Sequence, residues 1–409
     1  MYMDDDSAKS KTFQFSGDSL EYFRIWIVNL LLTILTLGIY SAWAKVRTNR
    51  YFYGNTLIHG SGFNYTADPI KILKGRILAV FLLASYQVCL YFYPTVAGYF
   101  LIFFLLFLPL VYVMNMAFRM RYTSWRGINF SFSRDYRAAY WVFAPLLIYL
   151  ILVTLAPLFF GITEEILLDP AENAEEFSSE ITFYVAFIGV IAVIAMLGFP
   201  LWQKFYYGFI GNRVNYGSAD FKFSVSAWQF YKMYLVAFLI VVIGVGLYFL
   251  FVYLNFESTM SEIGDAFENV TEDTSEDTTI DLSESLAFGV LVSVFLPFLL
   301  LFLPYLMAFA YIRTRLTNII YSHIQLEGIA FKSTLRFGKM TYLYVTNTLA
   351  ILFSLGLAIP WSMIRMARYR ADNMHVLSEN FEVFVAERND DIDASADAIS
   401  DLFDLDIGL

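Results

Sequence analysis

Six apolar blocks, each about as long as a membrane core is thick, limit this chain more than any other feature. They are Ile77–Tyr93, Tyr99–Phe118, Tyr140–Phe160, Phe183–Phe199, Met233–Leu254 and Phe288–Tyr311. A helix needs about 20 mostly apolar residues to cross the hydrocarbon of a bilayer. Lipid offers no partner to backbone polar groups, so such blocks are helices. Their recurrence excludes a lone signal peptide, and the N-terminal MYMDDDSAKSK lacks the basic-then-apolar pattern of one. Charged residues make up 16% of the 409, against roughly 25% in soluble domains.

The net charge of −10 hides a segregation. No Lys or Arg falls between Arg137 and Lys204, or between Lys232 and Arg313. Those gaps carry Glu164, Glu165, Asp169 and Glu172, and then Glu257 to Glu284. The intervening segments, Lys45–Arg76, Arg119–Arg137, Lys204–Lys232, Arg313–Lys339 and Arg365–Arg370, are basic. Basic loops stay in the cytoplasm, so the acidic loops are expected outside and both termini inside. Hairpin turns are then expected near Pro94–Gly98, in Thr163–Glu180 and in Asn255–Ser285, the last as a mobile loop.

A short pattern recurs in the basic segments. Phe13-Gln-Phe-Ser, Phe63-Asn-Tyr-Thr, Phe130-Ser-Phe-Ser, Phe221-Lys-Phe-Ser and Phe331-Lys-Ser-Thr alternate as half-buried strands do. Gly60, Gly127 and Gly328 stand three residues ahead of such a Phe, where a hairpin turn belongs. The strands before those turns are expected over Tyr51–Ile58 and Ile319–Leu326. Gly38, Pro109, Pro200, Pro304 and Gly356 recur at one place in the following helices and are read as helix breaks. Trp43-x-x-x-Arg47-x-x-Arg50-Tyr51 reappears as Trp361-x-x-x-Arg365-x-x-Arg368-Tyr369. The first and last segments have one apolar block each, Tyr22–Ala44 and Tyr342–Met366, which read as re-entrant hairpins or else as single spans.

The expected fold is therefore an all-α polytopic membrane protein. It has about six full transmembrane helices, two re-entrant or single-span segments, and small cytoplasmic β-hairpins between repeated units. A polar tail (1–12) precedes one membrane domain (13–386) of five units, at about 13–60, 61–128, 129–219, 220–328 and 329–386. An acidic tail (387–409) follows.

The run Leu37-Gly-Ile-Tyr-Ser-Ala-Trp-Ala-Lys-Val-Arg-Thr-Asn-Arg-Tyr51, with Phe13-Gln-Phe-Ser-Gly before it and Gly60-Ser-Gly-Phe-Asn-Tyr after it, resembles the YjgN-like family. The similarity runs from Phe13 to about Ala386. It implies a multi-pass protein of the bacterial inner membrane, in a family of unknown function with no assigned catalytic residues.

Enzyme chemistry finds no local support. There is no HExxH, CxxC, Gly-x-Ser-x-Gly or phosphate-cradling glycine loop, and only His59, His323, His375 and Cys89 carry soft ligands. No metal, cofactor or nucleic acid is expected. No Asp or Glu lies deep in a block, which argues against ion-coupled pumping. The pattern shared by the two short segments points to Arg47, Arg50, Arg365 and Arg368 as an anion site, with Trp43, Trp361, Tyr51 and Tyr369 supporting it. The function expected is a non-enzymatic pathway or binding site for an anionic membrane lipid or amphiphile. The alternative is a scaffold that recruits a protein partner through the hairpins and tail. Oligomeric state is not readable.

Overall fold

The computed structural model describes residues 9–161, 174–272 and 279–378. Other residues, including the acidic tail and much of the loop at 163–180, lie outside this description. The chain divides into two compact units. The first comprises Met1–Phe230, Ile319–Thr334 and Pro360–Leu409; the second comprises Tyr231–Asn318 and Leu335–Ile359.

One element order, strand–helix–helix–strand, occurs five times along the chain. The first pass is β1 (Lys9–Thr12) with β2 (Gln14–Phe15), α1 (Ser19–Leu35), α2 (Ser41–Asn55) and β3 (Thr56–Ile58). The second is β4 (Ser61–Tyr65), α3 (Pro69–Phe92), α4 (Pro94–Arg121) and β5 (Thr123–Trp125). The third is β6 (Ile128–Phe132), α5 (Tyr136–Phe159), α6 (Ala174–Gly211) and β7 (Val214–Tyr216). The fourth is β8 (Ala219–Phe223), α7 (Ala227–Glu272), α8 (Thr279–His323) and β9 (Ile324–Leu326). The fifth is β10 (Ile329–Ser333), α9 (Phe337–Phe353), α10 (Ile359–Asp372) and β11 (Met374–Ser378).

Local chemistry sets the junctions. Asp18, Asp68 and Asp135 each stand five residues after the pattern's first Phe and cap a helix. Asp18 accepts from the Leu20 N–H (2.8 Å), Asp68 from Ile70 (2.9 Å) and Asp135 from Ala138 (2.9 Å). At the return, a strand-end N–H bonds the residue just before the next strand in every pass. These pairs are Ser16 to Asn55 (3.0 Å), Thr66 to Tyr122 (3.0 Å), Ser133 to Arg213 (2.8 Å), Ser224 to His323 (3.4 Å) and Thr334 to Asn373 (2.9 Å). Two-residue turns link successive passes. His59–Gly60, Arg126–Gly127 and Glu327–Gly328 have positive φ at both residues, as the type I′ hairpin turn requires. The fourth hairpin turns at Gly217, which the spacing of the other three glycines did not reveal.

These hairpins are not separate. All eleven strands form one antiparallel sheet, in the order β1-β11-β10-β9-β8-β7-β6-β5-β4-β3-β2. The two strands that end this order are consecutive pieces of one N-terminal stretch. Lys9–Thr12 pairs with β11, Gln14–Phe15 pairs with β3, and the Phe13 N–H between them bonds the Met374 carbonyl (2.9 Å). The sheet therefore closes on itself within the first unit, which removes its free edges.

Several expectations are corrected. The strands before the turns are shorter than Tyr51–Ile58 and Ile319–Leu326, because α2 runs to Asn55 and α8 to His323. Side chains hold those helix ends: Asn55 Nδ2 donates to the Tyr51 carbonyl (2.9 Å) and His323 Nδ1 to the Ile319 carbonyl (2.8 Å). Helices α4, α6 and α8 continue through Pro109, Pro200 and Pro304, so a proline here costs a hydrogen bond without ending the helix. The acidic stretch expected as a mobile loop is helical at 255–272 and 279–285.

Gly38 does end a helix. In α1–α2, Asn29 reaches the Ala44 carbonyl (3.5 Å) and accepts from Arg47 Nη1 (3.1 Å), so the chain reverses between them. The turn is a Schellman cap, with Gly38 N–H to Thr33 carbonyl (2.8 Å) and Leu37 N–H to Ile34 carbonyl (3.1 Å). The same bonds, at the same lengths, join Gly356 to Ile351 and Leu355 to Leu352 in the second unit. Leu37 and Leu355 both adopt φ of 50°, and they are 95% and 94% exposed.

Among the described residues, five helices are long and apolar enough to cross a membrane: Pro69–Phe92, Val96–Arg121, Tyr136–Phe159, Ile181–Gly211 and Ala227–Phe256. Inside the first unit, α4, α5 and α6 pack through Tyr112, Met116, Phe143, Leu147, Tyr206 and Phe209. Outward faces stay apolar, as at Val190, Ile194 and Met196. In the second unit, α7 and α8 approach so closely that a Cβ on Gly244 would meet the Pro304 ring at 2.6 Å. Phe309 packs edge-on against Tyr344 there (5.2 Å).

Candidate functional site

Alternation along each strand sends every second side chain inward. The first Phe of each recurrent pattern, Phe13, Phe63, Phe130, Phe221 and Phe331, lines the lumen of the closed sheet. A second tier comes from the partner strands: Ile58, Trp125, Tyr216, Leu326 and Val376. A third lies two residues earlier on those strands: Thr56, Thr123, Val214, Ile324 and Met374. The pairing registers Phe63↔Trp125, Phe130↔Tyr216, Phe221↔Leu326 and Phe331↔Val376 put the first two tiers at one level. Their rings touch: Phe130 lies 4.9 Å from Tyr216, Trp125 5.9 Å from Tyr216, and Phe221 6.2 Å from Phe331. The partly open cavity they line is about 600 Å³, within the usual range of ligand pockets. By contrast, the second aromatic of each pattern (Phe15, Tyr65, Phe132, Phe223) is buried outside this cavity.

The polar atoms of the wall are turned away from the space. Trp125 Nε1 donates to the Ser61 carbonyl (3.3 Å) and the Tyr216 hydroxyl to the Trp125 carbonyl (2.9 Å). Thr56 and Thr123 hydroxyls donate back to Phe52 and Arg119 carbonyls, at 2.8 Å each. Burial pushes the Tyr216 hydroxyl up to about 12, with Arg126 acting the other way, so it stays a neutral donor.

Among the described lining residues, charge enters only at the helix end of the lumen. Arg119 and Arg370 line it, each four residues ahead of the first residue of its strand. The equivalent residues in the other passes are Phe52, Ile210 and Ile320. Because β2–β3 lies between β4–β5 and β10–β11 in the sheet, the two arginines flank Phe52 and Tyr53. Arg370 Nε is buried and has no hydrogen-bond partner among the described residues. Tyr321 lies at the same end; burial raises its hydroxyl pKa, Arg370 opposing.

The arginines singled out by the Trp-x-x-x-Arg-x-x-Arg-Tyr pattern do not line this lumen. Arg47 donates to Asn29 (3.1 Å) and the Tyr40 hydroxyl (3.2 Å). Arg50 Nε donates to the Tyr65 carbonyl (3.1 Å) of the next pass, and Arg368 Nη2 to the Gly17 carbonyl (3.0 Å) of the pass beside its own. Arg365 lies over the Trp361 ring (5.0 Å), and Trp43 stacks on Tyr40 (6.1 Å). The Tyr51 hydroxyl bonds Asp18 and Glu21, and Tyr369 supplies its carbonyl to Asn373. Arg50 and Arg368 thus join neighbouring passes, and the contacts just given for the others stay within their own pass. His323 and His375 are likewise engaged, with Gln229 (3.1 Å) and with Thr12 (3.0 Å) and Thr334 (3.2 Å). No metal-ligating cluster occurs among the described residues.

An apolar helical array of membrane-spanning length, carrying a closed sheet with an aromatic, arginine-tipped lumen, defines the class of this protein. The chain belongs to the family described as bacterial protein of unknown function (DUF898), whose model matches residues 10–402. It is similar to "Inner membrane protein YjgN" of Escherichia coli O157:H7, 26% identical over 381 residues, 90% of this chain and 89% of that protein. The proteins of the same name from Escherichia coli K12 and Salmonella typhimurium LT2 are each 25% identical, over 90% and 89% of this chain and 89% and 88% of their own lengths. No solved structure matches.

Proposed function

We propose that this is a multi-pass protein of the bacterial inner membrane, non-enzymatic, that takes an anionic lipid or amphiphile into the lumen of its closed sheet. The observation that carries the reading is the pairing of an apolar aromatic lumen with Arg119 and Arg370 at one end. An amphiphile has the complementary division. Arginine suits its head because a planar guanidinium donates two parallel hydrogen bonds to a carboxylate or phosphate. The anion site thus moves from Arg47, Arg50, Arg365 and Arg368 to the lumen.

Both termini and the sheet lie in the cytoplasm in this reading, a placement supported by the basic segments that adjoin the strands. The α1–α2 turn at Gly38 and the turn at Gly356 dip into the bilayer and return. Their support is an exposed leucine at each apex, where water would gain nothing from it and lipid would. The five passes are copies of one unit, supported by the strand-end hydrogen bond that recurs in each.

Native mass spectrometry of the gently solubilised full chain tests the ligand. A stoichiometric acidic amphiphile on the wild type, lost from Arg119→Gln/Arg370→Gln, is expected; no bound amphiphile in either contradicts the reading. Cysteine labelling at positions 7, 178, 275 and 395 tests the topology. Positions 178 and 275 should react from outside and 7 and 395 from inside only. Outside labelling at 7 or 395 contradicts it.

A further inference from the structure

We infer that the lumen holds a single-chain amphiphile with a carboxylate or phosphate-monoester head at Arg119 and Arg370, its one hydrocarbon chain running along the ring of Phe13, Phe63, Phe130, Phe221 and Phe331. The inference rests on the proposed amphiphile reading and narrows its ligand class. Three observations carry it.

The first is Arg370. A guanidinium does not lose its proton in a protein. Arg119 lines the same end, and no Asp or Glu is among the described lining residues. Two fixed positive charges without a lining carboxylate make this end of the cavity favour an anion. Tyr53 and Tyr321 stand at the same end as further hydroxyls.

The second is the wall beyond the arginines. The indole of Trp125 and the hydroxyls of Tyr216, Thr56 and Thr123 all bond to backbone carbonyls. A ligand polar at both ends would leave its second polar group unpaired against phenylalanine rings. The lumen therefore selects a molecule with one polar end.

The third is size. A cavity of about 600 Å³ is the size of pockets that hold one drug-sized ligand. One chain of sixteen to eighteen carbons, with its head at the arginines, is a ligand of about that size. A phospholipid carries two such chains and is roughly twice as large.

The test uses the full chain in nanodiscs of phosphatidylcholine, which avoids detergent, itself a single-chain amphiphile. Palmitate brominated near its tail is titrated while Trp fluorescence is followed. Saturable quenching that disappears in Trp125→Phe is expected and places the chain in the lumen. Competition then compares palmitate, palmitoyl-lysophosphatidic acid, dipalmitoyl-phosphatidic acid and hexadecanol. One or both single-chain acids should compete, and whichever is stronger identifies the head as carboxylate or phosphate. The two-chain acid and the alcohol should be at least tenfold weaker. Arg370→Gln should weaken acid binding about tenfold to a hundredfold, the loss of one charge-assisted contact, and leave hexadecanol unchanged. If that variant misfolds, Phe331→Leu serves instead: widening the lumen should shift the preferred chain to a longer one. Equal competition by dipalmitoyl-phosphatidic acid overturns the single-chain inference and leaves the amphiphile reading standing. Hexadecanol binding as tightly as palmitate overturns the role of the arginines. No binding by any of the four overturns both.

Discussion

Asp18 and Asp135 show how much one side chain does in this fold. Each ends a strand, starts a helix and ties down a neighbour. Asp135 accepts from the Ala138 N–H and from Arg213 Nη2 (2.6 Å). Hydrogen bonds hold both carboxyls below the usual range: the Glu21 and Leu20 N–H groups for Asp18, and the Ala138 N–H followed by the Arg213 guanidinium for Asp135. A carboxyl depressed in the folded state contributes stability that is present above its unfolded pKa, roughly 3.9. That contribution is lost as pH falls through the folded value. Thermal stability should therefore drop below about pH 4, and less steeply in Asp135→Ala. At neutral pH that variant should lose about 0.5–2 kcal/mol, the worth of an N-cap. The exposed ion pair itself adds little. Arg50→Gln with Arg368→Gln should lower the melting temperature, since each arginine ties one pass to the next. Lumen binding should persist in that double variant; its loss would return those residues to the site. The sequence displays all of these arginines equally. What separates Arg119 and Arg370 from Arg50 and Arg368 is their offset from a strand start, and three-residue strands such as Thr56–Ile58 leave too little alternation to locate it.

At the scale of elements, five of the six apolar blocks and the glycine turns were legible because each is a local signal. Gly38 was legible too, from its place ahead of Trp43. Among the described residues nothing lies within 4 Å of where a Cβ on Gly38 would sit, and its φ is +91°. Gly38→Leu should therefore cost about 1–2 kcal/mol of stability through backbone strain alone, with no packing defect, as a thermal melt in nanodiscs would record. A null effect would mean that the turn relaxes. The closure of the sheet was not legible. Its key pairing joins Thr12 to His375 across most of the chain, and no residue pattern in either segment announces the other. Reading the strands as isolated hairpins was the consequence. Deleting residues 1–15 should expose β3 and β11, the strands that Lys9–Phe15 covers. Hydrogen exchange at Thr56–Ile58 and Met374–Ser378 should then rise sharply while α4 and α5 stay protected. Unchanged exchange would show that the closure contributes nothing to the sheet.

For the molecule as a whole, the family match and the helices of membrane-spanning length place the chain in a setting, whereas the lumen supplies a chemistry. Charge segregation and hydropathy carry the first; they hold no information on the second, which arises only when five short strand pairs, distant in sequence, share one interior. The aromatic residues are the common thread. The same Phe that marks each recurrence in the sequence lines the cavity in the structure. The most direct measurement is a high-resolution cryo-electron microscopy map of the full chain in native-lipid nanodiscs. The account predicts elongated density inside the sheet, between the phenylalanine ring and the arginine end, with its head within hydrogen-bonding distance of the Arg119 or Arg370 guanidinium. A closed sheet whose lumen holds only water, or is filled by its own side chains, would contradict it.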